Sequence, residues 1–279
     1  MARVPARRAD DIDDVVAVLD DVVAWARQER HPLGYFAVLY RDVTATVRQG
    51  IDEDFFDDGP RMARLDVAFA NRYLDALAAH AAGGQPTRSW QLAFAAADTG
   101  NAIVLQHLLV GISAHINLDL GIVVAATAGR GGLQGGIRAD FDRINAILAS
   151  MTVRSQAALA SISPWLGALD RFGGRTDDAV VKFSIEVARR QAWGFATELD
   201  RIDEADLAGA ITTRDGHVVP VGETVLRPGW LGAVVWLVRL RESRDVRHNL
   251  QVLAGAPPPT LGEVESIAEG APPTTGTET

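Results

Sequence analysis

The 279-residue chain contains no cysteine. Disulfide bonds, thiolate metal sites and a cysteine nucleophile are therefore excluded, and any metal ion must be held by nitrogen and oxygen ligands. Basic residues are also too few for a nucleic-acid partner, because 27 lysines and arginines face 36 acidic residues and give a formal net charge of -9. Such a surface repels a phosphate backbone, so we expect no nucleic-acid binding.

Signals for secretion, nucleotide binding and serine catalysis are missing as well. The basic start of the chain leads into an acidic run at residues 10–14 instead of an apolar segment, which predicts a cytoplasmic protein. The glycine-rich run at residues 129–136 lacks the Lys-Ser/Thr pair of a phosphate-binding loop, so we expect a flexible interhelical loop and no nucleotide cofactor. No G-x-S-x-G motif is present to support a serine nucleophile.

Apolar residues recur at three- and four-residue spacing over most of the chain, whereas strand-like alternation is rare. This pattern predicts an all-α protein, a single-domain multi-helix bundle over residues 10–254 built around a buried central helix. Residues 1–9 are expected to form a flexible N-terminus. Turn-forming residues at 211–227 suggest a small β-hairpin. Residues 255–279 are rich in Pro, Thr, Gly and Glu, which predicts a disordered tail.

The central helix, expected over about residues 102–126, carries ionisable groups in an otherwise apolar sequence. His115 and Asp119 are four residues apart and therefore lie about 40° from each other around the helix axis, with His107 two turns earlier on the same stripe. Burying such groups costs several kcal/mol unless each finds a partner. In a bilayer each would cost about 2.5–3.5 kcal/mol, so we expect a core helix and no membrane span.

Imidazole and carboxylate groups suit zinc, iron or manganese, and helical bundles commonly build metal sites from inward-facing side chains. We therefore predict a divalent metal site whose ligands, which would also be the catalytic groups, come from the central helix and the next long helix. These ligands would be His107, His115, Asp119 and Asp140. Further catalytic-site groups that orient a small-molecule substrate would be Asn117, Asn145 and Tyr40.

Two other interpretations of these residues stay open. In the first, Asp119 orients His115 for metal-free acid and base catalysis. In the second, the same groups form a structural hydrogen-bonded network in a non-catalytic binding or interaction protein. Asp66, on the inward side of an earlier predicted helix, is expected to pair with Arg72 or another arginine in preference to acting as a ligand.

Several segments of the chain resemble a family of uncharacterised, largely actinobacterial proteins. These segments are residues 33–44, 69–74, 105–111, 114–121 and 140–145, and the most specific element is the string His-Ile-Asn-Leu-Asp-Leu-Gly at 115–121. The resemblance covers about residues 10–253 and implies a helical, single-domain protein without an established activity. From residue chemistry we expect an enzyme, metal-dependent in preference to metal-free, that acts on a small, largely apolar metabolite by hydrolysis, oxidation, cyclisation or isomerisation.

Overall fold

The computed structural model describes residues 4–165, 185–255 and 259–268. Their regular structure is entirely helical, with no β-strand in these ranges, which confirms the predicted all-α class. The helices in chain order are α1 (Ile12–Glu29), α2 (Gly34–Asp52), α3 (Gly59–Ala81), α4 (Arg88–Thr99), α5 (Val104–Ala114), α6 (Leu120–Ala128), α7 (Ile137–Ile162), α8 (Ile185–Leu199), α9 (Glu204–Leu226), α10 (Gly232–Arg241), α11 (Val246–Ala254) and α12 (Leu261–Ala268). A π-helical turn, His115–Asp119, joins α5 to α6, and short 3-10 turns lie at Gly132–Gln134 and Gly229–Leu231.

The predicted central helix is present and lies in the core. α5, the π turn and α6 form one segment, Val104–Ala128, that is long and apolar enough to cross a membrane, yet 78% of its most apolar window is buried inside the protein. α2, α4 and α9 pack on α5, while α3 and α8 pack on α6. Burial of this kind is typical of a core helix, and it explains why the segment is apolar on every side.

Two glycines allow neighbouring helices to approach the central segment closely. A Cβ atom on Gly111 would lie 2.7 Å from Cδ2 of Phe36 in α2. A Cβ atom on Gly121 would lie 2.8 Å from the backbone oxygen of Ala192 in α8. Because protein interiors are packed at crystal-like density, a larger residue at either position would push the helices apart. These contacts fix the spacing around the buried histidine and aspartate.

The predicted β-hairpin at residues 211–227 is wrong, because α9 runs through this stretch. The residues that suggested turns are accommodated within the helix. Pro220 lies inside α9, where its missing N–H removes one backbone hydrogen bond. Gly222 is buried against α4, and a Cβ atom there would lie 2.8 Å from Cδ2 of Leu92. Packing of α9 on α4 and α5 therefore overrides the local preference for a turn.

Both predicted termini contribute residues that contact the helical body. Residues 4–9, expected to be flexible, are instead anchored: the N–H of Ala9 donates to Oδ1 of Asn71 at 2.8 Å, and Nδ2 of Asn71 donates to the Ala9 carbonyl at 2.9 Å. Within the stretch expected to be a disordered tail, α12 packs on α2 and α7 and buries Val264. The rest of that tail prediction, at residues 256–258 and 269–279, lies outside the described residues.

Candidate functional site

His115 and Asp119 face each other in the core from the two ends of the π turn. Nδ1 of His115 lies 3.4 Å from Oδ2 of Asp119, a long separation for a hydrogen bond. The histidine is 3% exposed and the aspartate is completely buried. π turns inside α-helices are rare and occur frequently at functional sites. The pair predicted from the four-residue spacing is therefore present.

Two other helices hold the carboxylate of Asp119. The indole Nε1–H of Trp90 in α4 donates to Oδ2 at 2.8 Å, and Nε of Arg72 in α3 donates to Oδ1 at 3.0 Å. The Arg72 side chain is 35% exposed, so it links the buried carboxylate to the surface. The predicted pairing of Asp66 is wrong, because the guanidinium of Arg72 binds Asp119 instead. Within the described part of the chain, Asp66 forms no ion pair with another arginine either.

An aromatic cage encloses the imidazole of His115. The ring of Phe69 stacks on it with centroids 3.5 Å apart and an interplanar angle of 6°, and the ring of Tyr40 stands edge-on at 4.6 Å. The remaining rings of the cage belong to Phe36, Trp90 and Tyr73, with centroids 5.7, 5.9 and 6.4 Å from that of His115.

Burial and the neighbouring carboxylate together decide the protonation of His115. Desolvation lowers the pKa of His115 below its ordinary value, although the hydrogen bond and charge of Asp119 oppose this shift. The imidazole is therefore neutral at pH 7. Because Nδ1 faces a carboxylate, the single proton is assigned to Nδ1, which leaves a lone pair on Nε2.

Four buried polar atoms around the cage have no hydrogen-bond partner within the described part of the chain. They are Nε2 of His115, the hydroxyls of Tyr40 and Tyr73, and Oδ2 of Asp66. Each unpaired buried group costs about 1–3 kcal/mol. Burial raises the pKa of Asp66 to about 7, and it raises the pKa of Tyr40, which the charges of Asp66 and Asp119 raise further. A cluster with this many unpaired atoms is costly for a purely structural network.

A small cavity of about 20 Å³ borders the cage. Phe36, Tyr73 and Trp90 line both the cavity and the cage, and His107 lines the cavity from α5. The cavity is large enough for about one water molecule. Burial lowers the pKa of His107 to about 4, and its ring lies 5.7 Å from that of Tyr35. His107 is thus beside the site but is not a partner of the Asp119 carboxylate.

Asp140 belongs to a different network, contrary to the prediction that it joins the histidines. Its carboxylate accepts hydrogen bonds from the backbone N–H groups of Asp57 and Asp58 at 2.7 and 3.1 Å. It also accepts hydrogen bonds from the guanidinium groups of Arg61 and Arg143 at 2.7 and 2.6 Å. Burial alone would raise the pKa of Asp140, but these bonds lower it below its ordinary value. The helical register placed Asp140 inward correctly, yet it faces the α2–α3 loop and not α5.

The two predicted asparagines also bind elsewhere. Oδ1 of Asn145 accepts a hydrogen bond from Nε of Arg189 at 2.5 Å, and Nδ2 of Asn117 donates to Oγ of Ser113 at 3.1 Å. Neither side chain has a described hydrogen bond to the histidine-aspartate pair. Of the predicted site residues, the structure therefore brings together only His115, Asp119 and Tyr40, with His107 at the adjoining cavity.

The predicted four-ligand metal site is not assembled. No group of three or more His, Asp or Glu side chains within residues 4–165, 185–255 and 259–268 could hold a metal ion. His115 and Asp119 alone supply two ligands, and both oxygens of Asp119 already accept hydrogen bonds from Trp90 and Arg72. A divalent cation would also be repelled by the Arg72 guanidinium. The donor set does not fit zinc, iron or manganese.

Most of the residues that enclose the imidazole were not predicted from the sequence as members of the site. Phe69 and Tyr73 did carry a signal, because they share one side of α3 with Asp66 at helical spacing. Trp90 carried a second signal, since a buried indole N–H requires an acceptor. Neither signal identifies the acceptor or the neighbouring helix, which depend on tertiary packing.

Comparison with known proteins adds a family without an assigned activity. A family model described as a family of unknown function (DUF5995) matches residues 12–228. This range spans α1 to α9 and contains the whole aromatic cage. No curated protein and no solved structure matches the chain.

Proposed function

Because the chain belongs to DUF5995, a family of unknown function, we propose its activity from the site alone. The proposed function is that of an enzyme that transfers protons on a small, largely apolar metabolite. Nε2 of His115 acts as the general base and acid, and Asp119 positions the imidazole. The reaction class that suits this arrangement is isomerisation, cyclisation or hydrolysis by an activated water molecule.

The observation that carries this proposal is the unpaired, buried Nε2 of His115 opposite a paired Nδ1. A neutral imidazole with its proton on Nδ1 accepts a proton at Nε2, and Asp119 stabilises the imidazolium that forms. Burial that lowers the pKa of His115 keeps the base in its reactive neutral form at pH 7. A structural histidine would be expected to pair both nitrogens.

The aromatic cage supports a neutral substrate. Its rings carry no charge that could compensate a buried ionic group, and the guanidinium of Arg72 beside it is already bound to Asp119. The unpaired hydroxyls of Tyr40 and Tyr73 offer hydrogen bonds to a carbonyl or hydroxyl group. We therefore propose an apolar substrate that carries one or two neutral oxygen atoms, as expected for a pocket with a few convergent polar groups.

Entry of a substrate requires a side chain to move. Phe69 covers the face of the imidazole, and it is only partly buried, as is Arg72 beside it. The neighbouring cavity of about 20 Å³ admits no more than about one water molecule. We propose that Phe69 swings outward to admit the substrate and returns to exclude water.

A second candidate is a non-catalytic binding or interaction protein in which the same groups fix the packing of α3 and α4 on the π turn. Two observations favour it. The Asp119 carboxylate joins α3 and α4 to this turn through Arg72 and Trp90, and the adjacent cavity is small. In this alternative the unpaired buried atoms lower the stability of the fold and have no role in catalysis.

A compound screen distinguishes the two candidates. Small apolar ketones, lactones and alcohols are tested for an increase in melting temperature, and conversion of each stabilising compound is followed by mass spectrometry. We expect wild type to convert at least one class, and His115→Gln to lose about 10²–10⁴-fold in rate. His80→Gln is the matched control, because His80 is partly buried in α3 and bonds to Asp98 outside the cage. Equal conversion by His115→Gln, or no stabilising compound at all, would favour the second candidate.

A further inference from the structure

Within the described residues, the exposed large apolar side chains are concentrated on and beside α10. All five such residues in the described ranges lie on or beside α10, and we call this set the tryptophan face. Its members are Trp165, Trp230, Trp236, Leu237 and Leu240, which are 39–61% exposed. An apolar surface patch that is contiguous and rich in aromatic residues normally marks an interaction site.

The helical register of α10 places this face outward. Trp236 and Leu240 are four residues apart and adjacent on the helix surface, and Leu237 lies on the next row. Val238, on the opposite side, is 1% exposed and packs inward. α10 is therefore apolar on its buried side and on its exposed side, unlike an ordinary surface helix with a polar outer face.

Arginines flank the tryptophan face in the sequence, three residues before Trp230 and at and just beyond the end of α10. Arg227, Arg241 and Arg244 are all exposed. The guanidinium of Arg241 lies 5.1 Å from the ring centroid of Trp165, which connects this tryptophan to α10. Neither Arg227 nor Arg244 forms an ion pair with another described residue. In a chain with a formal net charge of -9, this is a local excess of positive charge.

Two acidic residues adjoin these arginines in sequence, Glu242 and Asp245, and the carboxylate of Glu242 points inward. Oε1 of Glu242 accepts a hydrogen bond from the backbone N–H of Val104 at 3.0 Å, and Oε2 accepts one from the hydroxyl of Ser163. The carboxylate of Glu242 is therefore used inside the protein. Asp245 is exposed but accepts the backbone N–H groups of Arg247 and His248 at the start of α11, so it offsets only part of the positive charge of Arg227, Arg241 and Arg244.

We propose that the tryptophan face docks on an anionic lipid surface. Tryptophan and leucine side chains favour the boundary between headgroups and acyl chains, and arginines bind lipid phosphates. A second copy of the chain fits this surface less well, because a two-fold interface would place the arginine rims of both copies against each other. Docking here is peripheral, so it agrees with the expectation of no membrane span and is independent of the proposed function.

Vesicle binding by the full-length protein tests this proposal. Wild-type protein is mixed with vesicles of phosphatidylcholine alone, or containing about 30% phosphatidylglycerol to supply the anionic charge. Co-sedimentation and tryptophan emission are measured at low and high salt. We expect binding to the anionic vesicles only, a shift of emission to shorter wavelength, and loss of binding at high salt because exposed charges are screened.

Variants separate the apolar and the charged contributions. Trp236→Ser is expected to reduce the partition coefficient roughly tenfold, and Arg227→Gln and Arg244→Gln about fivefold each. Arg8→Gln is the control, because Arg8 is also exposed but lies on the N-terminal segment. Circular dichroism and melting temperature should stay unchanged, since these side chains are exposed.

Three results would overturn the proposal. The first is no binding to either vesicle, or equal binding to both. The second is a dimer detected by analytical ultracentrifugation that Trp236→Ser abolishes while vesicles remain unbound, which would make a second copy the occupant. The third is a vesicle-induced shift in tryptophan emission that is as large in Trp236→Ser as in wild type, which would place the membrane contact elsewhere.

Discussion

Replacing Asp119 with asparagine is expected to destabilise the protein and to change the chemistry of His115. The substitution preserves shape and one acceptor oxygen but removes the negative charge. Hydrogen bonds to charged groups contribute about 1.5–3 kcal/mol each, so weakening the 2.8 Å bond from buried Trp90 costs about that amount. The pairing with Arg72 adds at most about 1 kcal/mol, because that side chain is 35% exposed and solvent screens it. We expect urea unfolding to show a loss of about 2–4 kcal/mol.

The effect on the imidazole follows from the same geometry. Burial lowers the pKa of His115 and Asp119 partly restores it, so asparagine should lower the pKa further. The new amide can donate to Nδ1, which would move the imidazole proton to Nε2 and remove the base. Nitrogen-15 NMR of the histidine side chains measures both the tautomer and the titration.

Asp140→Asn is the matched control for this variant. Asp140 is also completely buried and bound by arginines, but its network lies at the α2–α3 loop. This control should destabilise the protein and leave the tautomer of His115 unchanged. An unchanged His115 tautomer in Asp119→Asn, together with a change of less than about 0.5 kcal/mol in the unfolding free energy, would contradict the role given to Asp119.

Burial raises the pKa of Asp66 from 3.8 to about 7. Between these two pH values the folded protein keeps a proton that the unfolded chain releases. The contribution of protonated Asp66 to the free energy of unfolding is therefore complete below about pH 4 and is lost as pH rises to about 7. Urea unfolding of Asp66→Asn across pH should lack this decline, and an unchanged decline would contradict the burial argument. Gly111→Ala should cost about 1–3 kcal/mol by collision with Phe36, whereas Gly194→Ala, with open space around it, should not destabilise. Melting temperatures of the two glycine variants would test this difference, and an equal decrease in both would contradict the predicted collision with Phe36. Ending the chain after residue 255 removes α12 with buried Val264 and should lower the free energy of unfolding by about 1–3 kcal/mol. Ending it after residue 268 keeps α12 and serves as the control. Equal melting temperatures for the two truncated proteins would contradict the packing of α12 on the helical body.

Helical periodicity predicted the architecture well where burial and local preference agree. The central helix, its burial and the adjacency of His115 and Asp119 all follow from four-residue spacing in an apolar sequence. α9 was mistaken for a hairpin because Pro220 and Gly222 favour turns locally, while packing on α4 and α5 favours a helix. Local sequence does not contain that tertiary contribution.

The site could be predicted only in part, because periodicity shows that a side chain faces inward without showing which neighbour it meets. Asp140 is inward as expected, yet its partners come from the α2–α3 loop. Arg72 was expected to bind Asp66 six residues earlier in α3, but it binds Asp119 across the core. Such pairings depend on helix crossing positions, which are set by contacts such as that between Gly111 and Phe36.

His115→Leu tests most directly whether the imidazole is retained for chemistry or for stability. Leucine removes the unpaired Nε2 and fills similar volume within the aromatic cage, while Asp119 keeps its bonds from Trp90 and Arg72. If His115 serves chemistry, the unfolding free energy measured in urea should equal or exceed that of wild type, because functional groups are commonly kept at a cost in stability. A fall of more than about 2 kcal/mol would show that the imidazole stabilises the core and would contradict the catalytic assignment.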